Sequence, residues 1–247
     1  MAPELAVDAE VFPCAPPADL DDGRVIAEHD WQAFRAVERM SDHWDRPGWR
    51  DGQRAYYWML TFPNATPQLL QYTARCQSSL HHLGMDPVPH DGLHVTVSRI
   101  GSTDQVPAVQ LHRLIALAQE LRIHAFRVDA HPLAGSPGAV RFSLAPWRPL
   151  IRLHRCLSAL GSRAAVPGGR PTSSFRPHLG VAYSNRRRSA APVIQAVAPL
   201  RALPPVPLDI TSVELVALRR EGRAYRWETL YSLALPPQEP AGAGTSG

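Results

Sequence analysis

The spacing of apolar residues changes along the chain and predicts an alternation of strands and helices. Alternating apolar and polar positions predict strands at 55–62, 126–131, 140–144, 209–218 and 225–235. Apolar residues three or four positions apart predict helices at 29–44, 66–83, 106–121, 148–160 and 190–198. Two further short strands begin at His94 and His178. This order of elements predicts an α+β fold.

Turn-forming residues indicate where several of these elements begin and end. Thr66 is placed to cap the second predicted helix, Pro67 fits its first turn and Gly84 fits its end. The Pro-Gly pair at 47–48 is expected to end the first helix. Gly222 lies between the last two strands, which are therefore expected to form an antiparallel hairpin.

The chain divides by composition into an arm, a domain and a tail. Residues 1–28 are rich in Ala, Pro and Asp, which predicts a flexible arm. Residues 29–236 carry the periodic patterns and are expected to form one domain, whereas the Pro- and Gly-rich residues 237–247 predict a disordered tail. The helix at 29–44 either packs on the domain or closes over a site as a lid.

All 26 basic residues are arginines, and the formal net charge is +4 at pH 7. A guanidinium group pairs with two phosphate oxygens at once, so these arginines would suit a phosphate-containing ligand. The excess of positive charge is far below that of a nucleic-acid-binding stripe, and for most arginines a solvated surface is the alternative interpretation.

Three widely spaced cysteines, Cys14, Cys76 and Cys156, match neither a disulfide framework nor a zinc signature. They favour a reduced, cytoplasmic protein. The first residues lack a basic stretch before an apolar core, so no secretory signal is expected. No apolar stretch approaches the ~20 residues that span a bilayer, so no membrane contact is expected.

The first of the two histidine strands runs through the sequence Gly-Leu-His-Val-Thr-Val-Ser-Arg at 92–99. Side chains alternate between the faces of a strand, so His94, Thr96 and Ser98 are expected to share one face. Val95 and the next valine point to the other face, which is expected to be buried. Arg99 would also lie on that other face unless a bulge intervenes.

The second histidine strand follows the sequence Phe-Arg-Pro-His-Leu-Gly-Val-Ala-Tyr at 175–183. The same alternation places His178 and Gly180 on one face, with Arg176 and Ser184 at the same parity. Tyr183 has the opposite parity, so it is expected to point away from the site in the absence of a bulge.

Paired histidines suit general acid–base chemistry near neutral pH. A single histidine at the start of a strand is more often held by a backbone partner than catalytic, but two matching strands favour a site. A hydroxyl group two residues after the histidine, on the same face, is placed to donate a hydrogen bond to a phosphoryl oxygen.

The two strands resemble the paired His-x-Thr/Ser-x signatures of the two-histidine phosphoesterase superfamily, the 2′-5′ RNA ligase-like proteins. His94-Val95-Thr96-Val97 matches in full, and Phe-x-Pro-His at 175–178 matches in its context, whereas Gly180 departs from the expected Thr or Ser. The resemblance covers roughly residues 55–236. It implies two pseudo-symmetric, antiparallel-rich sheets backed by helices, with one histidine motif from each lobe in a central cleft.

The resemblance implies a metal-independent phosphodiesterase that hydrolyses 2′,3′-cyclic phosphates or 2′-5′ linkages without a cofactor. His94 would be the proton donor and His178 the acceptor, and Thr96 would stabilise charge on a phosphoryl oxygen. Gly180, Arg176, Ser184 and Ser98 are the expected substrate-binding residues. The expected partner is an RNA end or a small cyclic nucleotide, and a monomer is expected.

The missing hydroxyl at Gly180 leaves a second interpretation open. The chain could be a catalytically weakened RNA- or nucleotide-binding module of the same fold. Loss of one preorganised donor typically costs about 3–4 kcal/mol of transition-state stabilisation. No Walker A, dinucleotide-binding or His-Glu-x-x-His motif is present in the sequence, so ATP-driven ligation lacks support.

Overall fold

The computed structural model describes residues 4–45, 49–63 and 65–237. Its helices are α1 (Gly23–Arg35), α2 (Pro67–Leu80), α3 (Ala108–Gln119), α4 (Arg148–Arg163) and α5 (Ala191–Val197). Its strands are β1 (Arg39–Met40), β2 (Arg54–Thr61), β3 (Asp86–Pro87), β4 (His94–Ser102), β5 (Phe126–Ser136), β6 (Ala139–Ala145), β7 (His178–Tyr183), β8 (Arg188–Ser189), β9 (Val206–Ile210), β10 (Ser212–Glu221) and β11 (Ala224–Ala234).

The strands form two main sheets, and every pairing between neighbouring strands is antiparallel. The first sheet has the order β11-β10-β2-β4, and the second has the order β3-β7-β6-β5-β9. The two histidine motifs therefore lie in different sheets, and the strands that carry them, β4 and β7, contact each other. The predicted α+β class is confirmed.

The helices cover the sheets from outside and bury their apolar faces. Helix α1 packs on β5 and β6, α4 packs on β4, and α2 packs on β7. Helix α4 shows how burial follows the pattern, because the buried Leu150, Leu153, Leu157 and Leu160 recur three or four residues apart. This packing fixes the backs of β4 and β7 and leaves their other faces for the site. Within the described residues, no helix is long and apolar enough to cross a membrane.

The first helix lies earlier in the chain than residues 29–44, where the sequence predicted it. It begins at Gly23 because the Asp22 side chain accepts hydrogen bonds from the backbone N–H groups of Arg24 and Val25. It ends at Arg35, and the next residues enter the short strand β1, which pairs with β8. The apolar residues beyond 35 are thus buried by tertiary packing and not by a continued helix. The Pro-Gly pair at 47–48 lies outside the described residues.

The N-terminal segment, residues 4–22, lies along the domain, which differs from the expectation of a flexible arm. The backbone N–H of Ala6 donates to the carbonyl of Ser173. The Glu4 carboxylate lies 2.9 Å from a guanidinium nitrogen of Arg148 and 2.7 Å from one of Arg155. These contacts tie the segment to α4 and to the loop before β7. The division into arm, domain and tail otherwise stays a prediction, and residues 238–247 lie outside the described part.

Several predicted boundaries are confirmed, and one predicted strand is divided. Thr66 caps α2, since its Oγ1 accepts the N–H of Leu69 at 3.3 Å. Gly222, at φ +57°, joins β10 and β11 in the expected hairpin. The strand predicted at 209–218 is two strands, because the chain leaves β9 at the edge of the second sheet and enters β10 in the first.

Candidate active site

The imidazole rings of His94 and His178 are held in the same way at the starts of β4 and β7. The Nδ1 atom of His94 lies 2.8 Å from the carbonyl oxygen of Gly92, and that of His178 lies 2.9 Å from the carbonyl oxygen of Arg176. A carbonyl oxygen accepts only, so each Nδ1 carries the proton in the neutral ring. Neither Nε2 makes a hydrogen bond with any described residue. Both Nε2 atoms are thus left to exchange protons with a ligand.

The environment of each ring lowers the pKa of the imidazole. Surrounding protein atoms lower the pKa of His178, and the positive charge of Arg141 lowers it further, even though solvent reaches this side chain. His94 makes a smaller contribution that also lowers the pKa of His178, and the strands that carry the two rings contact each other. Burial also lowers the pKa of His94, and the hydrogen bond to Gly92 opposes that shift.

A bulge in β4 decides which residues of the first motif share the face of His94. In the pairing with β2, Thr96 lies opposite Met59 but Ser98 lies opposite the neighbouring Trp58, so Val97 is an extra residue. Thr96 therefore stays on the face of His94 and is exposed. Ser98, a predicted substrate-binding residue, turns towards the buried face and is only 6% exposed, but it still contributes to the wall of the cavity that Thr96 lines.

The same bulge brings Arg99 to the face of His94, which simple alternation did not predict. Arg99 is half-buried and lines the cavity that Thr96 also lines. One of its guanidinium nitrogens lies 3.4 Å from the Oγ of Ser102, so the side chain is partly held in place.

A second bulge, in β7, changes the second motif in the corresponding way. Gly180 lies opposite Arg141 and Ala182 lies opposite Val140, so Val181 is the extra residue. Tyr183 consequently returns to the face of His178 and Gly180. The predicted substrate-binding residue Ser184 does not reach the site, because it is fully buried and its Oγ donates to the carbonyl of Arg186 at 3.0 Å.

Arg176 was predicted to bind substrate, but its guanidinium group is occupied by the protein backbone. Its Nε donates to Pro13, one terminal nitrogen donates to Ser173 and Phe175, and the other donates to Ala6 and Cys14, all at carbonyl oxygens 2.7–3.2 Å away. All five N–H donors of the group are therefore used. Arg176 holds the N-terminal segment against the loop before β7, and no donor is left for a substrate.

A cavity of about 1010 Å³ opens beside the second histidine. Thr96, Arg99, Arg141, Arg170 and His178 contribute to its polar wall. The volume is at the upper end of the range for small-molecule sites, roughly 300–1,000 Å³. Guanidinium, hydroxyl and imidazole groups around one space are suited to an anion.

The N-terminal segment supplies part of the wall of this cavity. Asp8, Glu10 and Phe12 line it, and the Glu10 carboxylate lies 3.1 Å from a guanidinium nitrogen of Arg170. Nothing in the pattern of residues 1–28 indicated this contribution, because they show little periodicity. Another cavity, of about 980 Å³, lies between this segment and α1, and neither signature histidine lines it.

His94 lines a narrow crevice next to this cavity together with Tyr183 and Tyr225. His43 contacts both tyrosines, since its ring stacks on Tyr183 with centroids 3.9 Å apart and its Nε2 lies 2.8 Å from the Tyr225 hydroxyl oxygen. Of the predicted site residues, the structure thus brings His94, Thr96 and His178 to neighbouring surfaces, with Gly180 beside them on β7.

Arg141 is a charged residue of the site that the sequence analysis missed. It is 3% exposed, and one terminal nitrogen donates to the carbonyl of Phe12 at 3.2 Å. Burial lowers its pKa, and the buried carboxylate of Asp30 opposes that shift. Asp30 accepts a hydrogen bond from Ser143 at 2.7 Å, so α1 places a negative charge beneath this sheet. A single arginine within an otherwise apolar or small-residue strand was the signal available in the sequence.

Among the described residues, no group of three or more His, Cys, Asp or Glu side chains lies close enough to hold a metal ion. The reaction without metal stays a prediction, as do the roles of the individual site residues.

Comparisons with known proteins identify a family and solved structures that resemble this chain. The model of the 2′-5′ RNA ligase superfamily matches residues 66–222, more than half of the chain. E. coli LigT in apo form has a TM-score of 0.55 at 18% identity, with 75% of this chain and 99% of LigT covered. The Thermus thermophilus protein TT0787 has a TM-score of 0.53 at 21% identity, with 75% and 99% covered. No curated protein matches the chain.

These structural likenesses show the fold. In this chain the two histidine strands, β4 and β7, belong to different antiparallel sheets and contact each other. The family match covers both histidine motifs, from the cap of α2 to the turn between β10 and β11. On these findings, the chain belongs to the 2′-5′ RNA ligase superfamily.

Proposed function

We propose that this protein is a metal-independent phosphodiesterase that hydrolyses 2′,3′-cyclic phosphate or 2′-5′ linkages of RNA or nucleotides. The observation that carries the proposal is the common orientation of His94 and His178. Each ring is fixed through Nδ1 to a backbone carbonyl, and each Nε2 is left for proton transfer. Membership of a superfamily of phosphoesterases supports the same class of reaction.

The two imidazoles supply the proton transfers that hydrolysis requires. A water oxygen bonds to phosphorus while one imidazole takes its proton, and the bond from phosphorus to a ribose oxygen breaks while the other imidazole protonates that oxygen. Each transfer contributes typically ~10²–10⁴-fold to the rate. The two histidines then regain their starting protonation by exchange with solvent.

The resemblance assigns proton donation to His94 and acceptance to His178, and the electrostatics support this assignment. The pKa of His178 is lowered by burial and by Arg141, so its ring is neutral near pH 7 and accepts a proton. No guanidinium group of the described residues contributes to the pKa shift of His94, which comes from burial and from the hydrogen bond to Gly92. A phosphate anion bound beside His94 favours its protonated form, which is the form that donates.

Thr96 and the cavity arginines stabilise the negative charge of the phosphoryl group. The exposed Thr96 lies two residues after His94 on the same face and supplies a hydroxyl donor. Arg99 and Arg170 line the same cavity and attract the anionic substrate. E. coli LigT has been solved in complex with 3′-AMP, at a TM-score of 0.52 and 19% identity, and this supports a nucleotide or an RNA end as the ligand class.

The test is turnover of a 2′,3′-cyclic nucleotide in the presence of EDTA. We expect hydrolysis by the wild-type protein, and near-complete loss of kcat in His94→Ala and in His178→Ala. His112→Ala, on the exposed face of α3, is the matched control and should retain full activity. Binding without turnover would instead support the nucleotide-binding module, and recovery of activity only on adding a divalent metal would contradict the metal-free mechanism.

A further inference from the structure

We propose that the aromatic ring of Phe12 is a platform on which a nucleobase stacks while the phosphoryl group of the same ligand lies beside His178. The inference rests on the proposed phosphodiesterase function and adds a ligand class to that site, because a nucleotide is then recognised by its base as well as by its phosphate. It also gives the N-terminal segment, residues 4–22, a role in binding.

Phe12 stands on the wall of the same cavity as the second histidine. The cavity of about 1010 Å³ is lined by Phe12 together with Thr96 and His178. Phe12 also borders the apolar cavity of about 980 Å³ between the N-terminal segment and α1. The residue thus lies between two open spaces, and it is half-buried.

Phe12 is set apart from the apolar side chains that hold the fold together. Among the described residues, it belongs neither to the buried core nor to the half-buried apolar group that packs on the core. Phe175, another phenylalanine of the cavity wall, is buried, and its ring lies against His154 with centroids 4.6 Å apart. A half-buried ring outside the core keeps apolar area in contact with water, and a ligand that stacks on the ring removes that area from water.

The backbone around Phe12 is held in place by hydrogen bonds within the protein. The N–H of Asp8 donates to the carbonyl of Cys14 at 2.9 Å, which closes a loop with Phe12 inside it. A terminal nitrogen of Arg141 donates to the carbonyl of Phe12 at 3.2 Å, and the Nε of Arg176 donates to the carbonyl of the next residue at 3.0 Å. A platform held in this way loses little conformational entropy when a ligand stacks on it.

Arg141 links the ring of Phe12 to the second histidine. The Cζ of Arg141 lies over the Phe12 ring, 5.6 Å from the centroid. In the sheet, Arg141 lies opposite Gly180, two residues after His178 on the same face of β7. The aromatic ring and the imidazole therefore adjoin one arginine. The cavity volume is at the upper end of the range for small-molecule sites, so it has room for a base and a ribose besides the phosphoryl group.

A nucleotide has the two chemical parts that this wall accommodates. The wall that carries the ring also carries Arg99, Arg170 and His178, so its ligand combines a flat apolar part with an anion. Every nucleobase has a π-face that stacks on an aromatic ring, and this contact tolerates any base. The ring therefore favours nucleotides over phosphodiesters that lack a base, without selecting one base.

The experiment compares substrates with and without a base. Phe12→Leu keeps an apolar side chain but removes the aromatic face, and we expect kcat/KM on a 2′,3′-cyclic nucleotide to fall about 10–100-fold, mainly through KM. On 1-O-methylribose 2′,3′-cyclic phosphate, which lacks the base, Phe12→Leu should equal wild type. Phe12→Trp should retain turnover of the nucleotide. Phe126→Leu, at a half-buried phenylalanine of β5 outside this cavity, is the matched control and should equal wild type on both substrates.

Equal behaviour of the two substrates overturns the inference. Unchanged kcat/KM in Phe12→Leu on both would show that no base stacks on the ring. An equal loss on both, in a variant with the Tm of wild type, would show that the ring acts through the position of Arg141. If the Tm of the variant falls, NMR of the wild-type protein decides. The ring protons of Phe12 should shift when 3′-AMP binds and not when inorganic phosphate binds, and bound 3′-AMP that leaves them unshifted overturns the platform.

Binding measurements separate this inference from the proposed function. We expect wild type to bind 3′-AMP about 10–100-fold more tightly than ribose 3-phosphate, and Phe12→Leu to bind the two ligands alike. If wild type shows this preference but turns over no cyclic nucleotide, the phosphodiesterase proposal fails while the platform stands. Equal affinity of wild type for the two ligands overturns the platform, whatever the turnover.

Discussion

His94 and His178 are oriented by equivalent hydrogen bonds, each from Nδ1 to the carbonyl oxygen of the residue two positions earlier, at 2.8 and 2.9 Å. One backbone geometry thus sets the tautomer in both sheets. Nε2 is therefore the nitrogen of each ring that is left for proton transfer. The two rings differ in their surroundings, because the charge of Arg141 lowers the pKa of His178 and is not a cause of the pKa shift of His94.

The first prediction is an acid-shifted pH dependence. The pKa of both histidines is lowered below the ordinary value of about 6.5, His178 more strongly. The acceptor, His178, must be unprotonated and is active above its pKa, whereas the donor, His94, must be protonated and is active below its pKa. Because both pKa values are lowered, kcat/KM should be highest on the acid side of neutrality and should fall as pH rises. A bound phosphate anion raises the donor's pKa, so the alkaline limb of kcat should lie at higher pH than that of kcat/KM.

Rate profiles across about pH 4–9 on a 2′,3′-cyclic nucleotide check this prediction. The control variant His112→Ala should give the wild-type profile. An alkaline limb of kcat/KM well above neutrality would show that the donor is not a histidine with a lowered pKa.

The second prediction concerns the charge of Arg141. Because this guanidinium lowers the pKa of His178, Arg141→Met should raise that pKa. The same substitution leaves Asp30 without its compensating charge, and this shifts the pKa of His178 in the same direction. The measurement is an NMR titration of the His178 ring protons in wild type and variant. A pKa for His178 that stays the same or falls would contradict the electrostatic coupling between the two residues.

The third prediction concerns the hydroxyl of Thr96. Thr96→Val keeps the shape of the side chain but removes the donor, so kcat should fall by about 10²–10³-fold with little change in Tm. Thr96→Ser retains the hydroxyl and should keep most of the activity. The exposed Thr229 of β11 offers a matched control in Thr229→Val. Equal kcat in Thr96→Val and wild type would show that the Thr96 hydroxyl does not contribute to catalysis.

The fourth prediction separates Arg176 from substrate binding. Arg176→Leu removes five hydrogen bonds to carbonyl oxygens and leaves several of those oxygens without partners. An unsatisfied buried polar group costs about 1–3 kcal/mol, so the free energy of unfolding should fall by at least about 3 kcal/mol.

Chemical denaturation measures this change, and limited proteolysis should show faster cleavage within residues 4–22. Arg127→Ala is the control, because the ion pair of Arg127 with Asp209 is exposed and its loss should leave stability nearly unchanged. An Arg176→Leu protein with wild-type stability and a raised KM would contradict this prediction and show that Arg176 binds substrate.

The sequence determined the elements whose signals are local. The cap at Thr66, the last hairpin around Gly222 and most strands and helices follow from residues close together in the chain. The two histidines were visible for the same reason, because each begins a short apolar strand and the pair matches a family signature. The α+β class followed from the order of these elements, and the resemblance to the family followed from the two motifs.

Only the tertiary structure decided which side chains meet at the site. A bulge is defined by pairing with a second strand, so Val97 and Val181 look like any other strand residues until β2 and β6 are in place. The bulges at those two residues turn Ser98 and Ser184 away from the faces of the histidines, although Ser98 still lines the cavity, and they turn Arg99 and Tyr183 towards those faces. Arg176 likewise looked like a substrate ligand until the carbonyls of a distant segment were found around it. Alternation is a property of one strand, whereas register and burial depend on contacts between residues far apart in the sequence.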